Sequence, residues 1–175
     1  MSIALRTWRS YGGIVEKSEL THLDSDGNLR MVDVGGKEVS QREAVAAARV
    51  RVSPQTARLI LDQALPKGDV VTVARVAGIL AAKQTPQLIP LTHPLLLTYI
   101  DVEIGVDDDG TVSVRATVRC EGKTGVEIEA MTACSVAALT VYDMCKSADK
   151  GITIEEIRLE HKSGGKSGVY RRDQG

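Results

Sequence analysis

Two alternating runs separated by an Asp-Gly turn constrain the fold of this chain more than any other feature. Apolar residues alternate from Ile100 to Val106 and again from Val112 to Val118, and Asp109-Gly110 lies between the two runs. Alternation places every second side chain on one face of a strand, and Asp-Gly is typical of a tight turn. The pattern predicts a β-hairpin with one buried face.

The segments before the hairpin predict helices and one short strand. The spacing Ser40-x-x-Glu43 matches a capping box, so we expect an alanine-rich helix to follow it. Residues 49–52 alternate and predict a strand, and Ser53-Pro54 is typical of a helix start, with that helix ending near residues 66–68.

A second helix is predicted from about Asp69, followed by a proline-containing loop over residues 84–94. Its apolar residues at positions i, i+3, i+4 and i+7 predict one buried stripe. These residues are Val73, Val76, Ala77 and Leu80.

The segments after the hairpin predict a long helix and a last strand. Small residues dominate positions 125–148, which favours a helix. Ile152 and Ile154 are one position out of step with Ile157 and Leu159, so we expect a strand with a bulge.

The predicted order is strand, helices, strand, strand, helix, strand. This order indicates an α+β protein with a ferredoxin-like split β-α-β pattern, in which helices cover one face of an antiparallel sheet. No remaining element can cover the other face, so we expect the chain to be oligomeric. Residues 1–20 are interpreted as an extension, 21–168 as one catalytic domain that starts with loops and a short strand over 21–37, and 169–175 as a frayed tail.

Composition excludes several classes of protein. The net charge is −1 and aromatic residues make up 3%, which argues against a nucleic-acid surface built on charge or base stacking. Three cysteines without a C-x-x-C pair favour a reducing compartment and no structural zinc. No apolar run approaches the ~18 residues of a membrane helix, so we expect a cytoplasmic protein.

Two loops carry polar groups that the predicted fold does not require. Lys67-Gly-Asp69 places a lysine at a helix start, where free N–H groups favour phosphate; the alternative is a surface lysine beside an Asp N-cap. His93 lies in an apolar loop fixed by prolines. It could transfer a proton or donate a hydrogen bond to a phosphate or a heterocycle; the alternative is a core histidine with its hydrogen bonds satisfied.

Charged residues also flank the long helix. Glu127 and Glu129 point the same way only if that piece is extended, where they could bind an N–H edge; otherwise they are first-turn acids. Asp143 and Lys146 are spaced i, i+3 and form either an acid–base couple or an exposed ion pair.

The glycine-rich segment Lys162–Gly168 is similar to the end of a P-loop. The motif G-x-x-x-x-G-K-[ST] needs glycine at position 160, which is Glu160 here, so a P-loop is excluded. Two interpretations remain: a glycine loop whose N–H groups and lysines bind phosphates, or a disordered tail.

Taken in order, these motifs resemble one family closely over residues 20–168. The matching segments are Met31-Val-Asp33, Lys67-Gly-Asp-Val, Ala77-Gly-Ile-Leu-Ala-Ala-Lys83, Ile89-Pro-Leu-Thr-His-Pro94, Gly122-Lys-Thr-Gly-Val-Glu-Ile-Glu129, Tyr142-Asp-Met-Cys-Lys146 and Lys162-Ser-Gly-Gly-Lys-Ser-Gly168. The family is that of the cyclic pyranopterin monophosphate synthases, the C proteins of molybdenum-cofactor biosynthesis. The resemblance implies a ferredoxin-like subunit in a homohexamer, a trimer of dimers with active sites where subunits meet.

The resemblance also implies an activity and a substrate. The family converts 3′,8-cyclo-7,8-dihydro-GTP, supplied by a radical S-adenosylmethionine enzyme, into cyclic pyranopterin monophosphate and diphosphate. We expect no cofactor of the protein's own, with Mg²⁺ allowed beside the substrate's phosphates.

The family's functional residues map onto positions of this chain. The resemblance implies Asp143, Lys146 and Lys67 as catalytic residues. The substrate-binding residues that it implies are Leu91, Thr92, His93, Ile128, Glu129, Glu127, Lys162 and Arg42. Family members commonly have Cys where Thr92 stands and often Met where Ile128 stands, so we expect these two positions to act through backbone or shape.

Two other functions compete with a synthase. A non-catalytic nucleotide-binding module explains the cations but gives no reason for an aspartate beside Lys146. An RNA-binding sheet face requires exposed aromatic residues in the hairpin, and only Tyr99 lies near it.

Overall fold

The computed structural model describes residues 26–166 and 168–172, so the predicted extension over residues 1–20 lies outside the described residues. The chain divides into two units, Met1–Asp33 and Val34–Gly175. Of the first unit, residues 26–33 are described, and apart from one bridged residue at Leu29 they contain none of the short strand predicted before Lys37. The elements below lie in the second unit.

Eight elements follow one another in the second unit. They are β1 (Ser40–Arg51), α1 (Pro54–Leu61), α2 (Val70–Leu88), β2 (Leu97–Val106), β3 (Thr111–Gly122), α3 (Glu127–Cys145), β4 (Thr153–Ser163) and β5 (Tyr170–Arg171). The strands form one antiparallel sheet in the order β2-β3-β1-β4-β5. The predicted α+β class and the predicted hairpin are confirmed.

The helix predicted after Ser40 is wrong, because residues 40–51 form the central strand β1. This strand pairs with β3 on one side and β4 on the other, so its backbone groups are satisfied by the sheet. Glu43 does not cap a helix; its carboxylate pairs with Arg119 at 2.5 Å. Three alanines of β1 (Ala44, Ala46 and Ala48) are buried, and the small side chains let α3 pack closely against the sheet.

The two helices before the hairpin begin where the sequence predicted. Ser53 Oγ accepts a hydrogen bond from Thr56 N, and Asp69 Oδ1 accepts one from Thr72 N. The ends differ: α1 stops at Leu61, and α2 continues through Pro86 to Leu88, into the predicted loop.

The predicted buried stripe on α2 is wrong. Val73, Val76 and Leu80 are 42–51% exposed, whereas small residues of α2 face α3. At Gly78 an added Cβ would lie 3.0 Å from the carbonyl oxygen of Ala133, so the two helices touch through their backbones there. Larger side chains are therefore excluded from the contact and remain on the outer side of α2.

The last segments confirm one prediction and correct another. The register of β4 against β1 shifts at two points, which confirms the predicted bulge. The tail predicted to fray contains β5, in which Tyr170 pairs with Lys162 and Arg171 with His161.

The two faces of the sheet differ sharply. One face packs under α3 and is apolar, with Val114, Ala116 and Val118 fully or almost fully buried. The opposite face, called the open face below, carries charged residues, among them Glu43, Arg49, Arg115, Arg119, Arg158 and Glu160. Most of these residues are joined in ion pairs. The open face is therefore polar, unlike an apolar sheet face, which is usually buried under another element.

Among the described helices, α3 is long and apolar enough to cross a membrane by length and hydropathy, with a mean hydropathy of 1.2. Half of it is buried inside the protein, where it packs against α2 and three strands. That environment is the one expected for the core helix of a globular domain.

Candidate active site

Two lysines hold one aspartate at the C-terminal end of α3. Asp143 Oδ1 accepts from Lys146 Nζ at 2.6 Å, and Oδ2 accepts from Lys67 Nζ at 2.7 Å. Lys67 also donates to the backbone carbonyl of Asp143 at 2.9 Å. We call these three residues the Asp143 cluster. Their side chains are 41–54% exposed, so the cluster is open to a ligand.

Local structure explains how these residues meet. A lysine after the last turn of a helix is favoured by the partial negative charge of that end, which places Lys146 beside Asp143. Lys67 comes from the turn between α1 and α2, in which Leu65 is buried and Gly68 has φ +90°. That left-handed conformation suits glycine, and the turn brings Lys67 to a residue 76 positions away.

The Asp143 cluster fixes its own protonation state. Hydrogen bonds from Lys146 and Lys67 lower the pKa of Asp143 to about 2, and the same aspartate raises the pKa of Lys146. Without a ligand, the aspartate is ionised and Lys146 is protonated at neutral pH. Exposed ion pairs contribute about 0–1 kcal/mol to stability, so folding alone does not account for the arrangement.

A second group of charges lies at the N-terminal end of α3. Lys162 Nζ is 2.9 Å from Glu127 Oε1, and Arg42 Nε donates to the carbonyl of Gly122 at 3.2 Å. Arg42 lies opposite Cys120, and Lys162 lies opposite Ala44, so both side chains are on the helix-covered face of the sheet. We call Arg42, Glu127 and Lys162 the Arg42 cluster.

Glycines make the close contacts of the Arg42 cluster possible. A Cβ on Gly125 would overlap the carboxylate of Glu127, and one on Gly165 would overlap the guanidinium of Arg42. Gly165 also has φ +74°. Lys162 itself belongs to β4, so it is held by the sheet, whereas the sequence left it in either a loop or a tail.

The first turn of α3 separates its two glutamates. Because the piece is helical from Glu127, residues two apart point in different directions, and the shared orientation considered for Glu127 and Glu129 is not formed. Glu129 is only 3% exposed. Burial is the main reason that its pKa rises to about 7, and the charge of Glu127 adds to the effect.

The other predicted substrate-binding residues lie at this same end. Leu91, Thr92 and His93 are partly buried in the loop between α2 and β2. Thr92 N and Oγ1 both donate to the carbonyl of Ile89, which fixes the loop. Ile128 lies in the first turn of α3 and is 42% exposed.

One chain does not bring all the predicted residues together. Glu127 and Asp143 are sixteen positions apart in α3, which corresponds to about 24 Å along its axis. The loop with His93 lies at the Arg42 end, because Leu95 packs beside Gly122. Within a single chain, the predicted meeting of His93 with Asp143, Lys146 and Lys67 is therefore not formed.

The sheet offers little to a nucleic-acid base. Tyr99 is 43% exposed, but the guanidinium of Arg119 lies 4.7 Å from the centre of its ring. The single aromatic residue that supported an RNA-binding face is thus already stacked.

These features define an α+β protein with two clusters of cations and carboxylates at opposite ends of one helix, suited to an anionic ligand and proton transfer. Comparison with known proteins agrees. Residues 31–165 match the model of the MoaC family. The chain belongs to the MoaC family, as its motifs predicted.

Proteins named cyclic pyranopterin monophosphate synthase are among its similar relatives. The one from Pelotomaculum thermopropionicum is 58% identical over 156 residues, which cover 89% of this chain and 92% of the relative. Those from Bordetella avium and Chloroflexus aurantiacus are each 57% identical, over 88% and 89% of this chain and 96% of the relative.

Sequence reasoning missed the roles of two glycines and one serine beside the Arg42 cluster. Gly125 and Gly165 leave room for the side chains of Glu127 and Arg42, and the glycine-rich segments did not indicate which side chains would pack there. Ser40 was assigned to a capping box; its Oγ is buried and has no hydrogen-bond partner in the described part of the chain. Its place opposite Gly122 in the sheet depends on strand pairing that the sequence does not display.

Proposed function

We propose that this chain converts 3′,8-cyclo-7,8-dihydro-GTP into cyclic pyranopterin monophosphate and diphosphate, as a phosphorus–oxygen lyase of molybdenum-cofactor biosynthesis. The observation that carries the proposal is the Asp143 cluster, an exposed carboxylate bound by two lysines, in a chain of the MoaC family. The names of its relatives support the choice of substrate.

The Asp143 cluster supplies acids and a latent base. A triphosphate that enters the cluster competes with Asp143 for the ammonium groups of Lys67 and Lys146. As the lysines turn to phosphate, the pKa of Asp143 rises from about 2 toward its ordinary value, and the carboxylate becomes able to accept a proton. Lys146 stays protonated and donates protons during ring opening and reclosure. A positioned acid or base of this kind typically contributes about 10²–10⁴-fold to the rate.

The cyclisation of phosphate needs cations more than it needs a base. The α-phosphorus forms a new bond to a sugar oxygen, whose proton passes to the Asp143 carboxylate, as its bond to the diphosphate oxygen breaks and negative charge grows on the diphosphate. In a site shared between two chains, Lys67 of one subunit and Lys162 of another stabilise that charge.

The Arg42 cluster recognises the rest of the substrate. Val126 caps α3 without a side-chain hydrogen bond, so N–H groups of the first turn are available at the positive end of the helix. Lys162, Arg42 and the hydroxyl of Ser40, which has no hydrogen-bond partner among the described residues, add donors. Glu127 and Glu129 add acceptors for an N–H edge or a sugar hydroxyl, and Leu91, Thr92, His93 and Ile128 shape the pocket.

A complete site requires two chains. Since the two clusters lie about 24 Å apart in one chain, we propose that the Asp143 cluster of one subunit faces the Arg42 cluster and His93 of another. The exposed residues Val73, Val76 and Leu80 on α2 supply apolar surface for such a contact. We propose a ferredoxin-like subunit, supported by the order β2-β3-β1-β4, in a homohexamer built as a trimer of dimers.

The remaining parts of the proposal follow from the reaction. The substrate comes from a radical S-adenosylmethionine enzyme, the protein works in the cytoplasm, and it needs no nucleic acid, membrane or cofactor of its own. Mg²⁺ enters with the substrate's phosphates, which its preference for oxygen ligands allows.

The test is turnover of enzymatically prepared 3′,8-cyclo-7,8-dihydro-GTP. We expect a pterin product, detected by fluorescence after oxidation, and one diphosphate released per product. Asp143→Asn should lower the rate of both signals by about 10²–10⁴-fold. Asp108→Asn, in the exposed hairpin turn, should retain them. If the wild-type protein binds the nucleotide but releases neither product, the chain is a nucleotide-binding module and the proposal is wrong.

A further inference from the structure

The open face of the sheet contains a cavity that the proposed reaction does not use. Its volume is about 790 Å³, within the range of small-molecule sites. Four arginines and two glutamates line it, namely Arg49, Arg115, Arg158, Arg172, Glu156 and Glu160. No aromatic residue is among the lining residues, so the cavity suits a charged ligand rather than an apolar one. A neighbouring cavity of about 450 Å³ shares Arg115 and Arg172 with it.

Strand register places two of these arginines on either side of a gap. Ala47 of β1 is paired with Arg115 of β3 and with Arg158 of β4, so the three residues form one row across adjacent strands. Two strand spacings separate the arginine backbones by about 10 Å. An arginine therefore lies on each side of Ala47. The small alanine side chain leaves space above the strand between the two arginines.

The arginines of the cavity differ in what they bind. Arg49 is paired with Glu155 and Glu156. Arg158 is paired with Glu156 and Glu160. The side chain of Arg115, in contrast, has no ion pair or hydrogen bond within the described part of the chain, although Glu103 lies opposite it in β2 and the two cavities meet at it.

Arg172 extends the charged floor on the β5 side. Its Nε donates to the carbonyl of Leu159 at 3.0 Å, and its backbone N–H donates to Glu160 at 2.9 Å. The side chain is thereby anchored, and its two terminal nitrogens, which have no hydrogen bond to any described residue, can bind a ligand.

We propose that the open face binds a compact polyphosphate between Arg115 and Arg172, with Arg158, which is paired with Glu156 and Glu160, at the edge of the site. Guanidinium groups bind phosphate oxygens in pairs, which favours phosphate over a single point charge. Arg115 and Arg172 belong to different parts of the sheet, because Arg115 is in β3 and Arg172 follows β5. A single carboxylate is too small to reach both guanidinium groups, so the ligand needs at least two linked anionic groups. The site is separate from α3, since it lies on the other face of the sheet.

Binding of inorganic diphosphate to the full-length protein tests the proposal. Calorimetry without substrate should show a class of diphosphate sites that Arg115→Ala weakens by about tenfold or more, as expected for one charge-assisted bond. Arg51→Ala is the matched control, because Arg51 of β1 lies on the same face of the sheet as Arg115 of β3 but is paired with Glu155 and Asp109. GTP and monophosphate, titrated in parallel, distinguish a nucleotide from a free polyphosphate; monophosphate should bind more weakly than both.

A second variant keeps the test valid if Arg115→Ala folds poorly. Ala47→Glu places a carboxylate opposite Arg115, where it can pair with the free guanidinium and should remove the same class of sites. Unchanged diphosphate binding in both variants would overturn the proposal. So would a lower assembly mass by light scattering in Arg115→Ala, because the face would then be a contact between copies. The readout is binding, so failure of the proposed reaction leaves this result unaffected.

Discussion

The two ends of α3 carry the same kinds of residues in opposite electrostatic states. At the C-terminal end, Asp143 is half exposed and bound by two lysines, and its pKa falls to about 2. At the N-terminal end, Glu129 is buried without a cationic partner in the described part of the chain, and its pKa rises to about 7. Partners and burial decide the charge of a carboxyl here, and residue type does not. The two lysines at the C-terminal end are therefore available to an anion, whereas the carboxyl group of Glu129 at the N-terminal end keeps its proton close to neutral pH.

The largest expected effect separates catalysis from folding at the C-terminal end. Asp143→Asn keeps the shape of the side chain but removes its charge and its ability to accept a proton. We expect kcat to fall by about 10²–10⁴-fold, measured as product formed per subunit. Asp108→Asn should leave kcat unchanged. Wild-type turnover in Asp143→Asn would remove the aspartate from the mechanism.

At the N-terminal end we expect a pH-dependent stability. A folded-state pKa near 7, raised from 4.5, means that the folded protein keeps the Glu129 proton longer than the unfolded chain. The stability from this group is complete below pH 4.5 and is lost as pH rises through 7. The Glu129→Gln variant cannot ionise at this position, so it should not lose this stability. Between pH 4.5 and 8, the free energy of unfolding of the wild type should fall relative to that of the variant by up to about 3 kcal/mol.

Urea unfolding at several pH values measures that difference. The exposed Glu121→Gln variant serves as the control. Parallel pH profiles for Glu129→Gln and the wild type would show that Glu129 is ionised in the folded protein.

A pair of glycine variants tests the geometry of the Arg42 cluster. Gly165→Ala and Gly168→Ala both place a side chain at positive φ, but only the first would overlap Arg42. Both should lose about 1 kcal/mol of stability from backbone strain. Only Gly165→Ala should also raise KM, by displacing the guanidinium. An equal KM in the two variants would mean that Arg42 does not contact the substrate.

The smallest effect is expected on stability at the C-terminal end. Lys146→Met breaks an exposed ion pair, so the midpoint of thermal unfolding should change little while activity is lost. A much larger loss of stability would show that the Asp143 cluster is structural.

The sequence predicted the parts of the fold that depend on local pattern. The hairpin over residues 97–122 follows from alternation, and α1 and α2 follow from Ser53 and Asp69 as caps. The alternation of residues 49–52 predicted the end of β1, whereas residues 40–48 were missed because their alanines favour a helix in isolation. A central place between β3 and β4 makes such small buried residues favourable. The outer stripe on α2 was misjudged because glycine and alanine, which carry a weak hydrophobic signal, form the tight contact with α3.

For the site, the motifs predicted candidate residues but not their grouping. The contact of Lys67 with Asp143 joins residues 76 positions apart and depends on the packing of α1, α2 and α3. The spacing of Glu127 and Glu129 could not show that one would be paired and the other buried. That the predicted residues fall into two groups at opposite ends of a helix became visible only with the fold.

Mixing two inactive variants tests most directly whether the active site joins the two ends from different chains. Asp143→Asn impairs one end of α3 and Lys162→Met the other. In a two-fold pair formed from one chain of each variant, one site carries both changes and the other carries neither. Unfolding and refolding an equal mixture should restore about one quarter of wild-type turnover under random pairing. Activity no greater than the sum of the separate variants would contradict a site shared between chains.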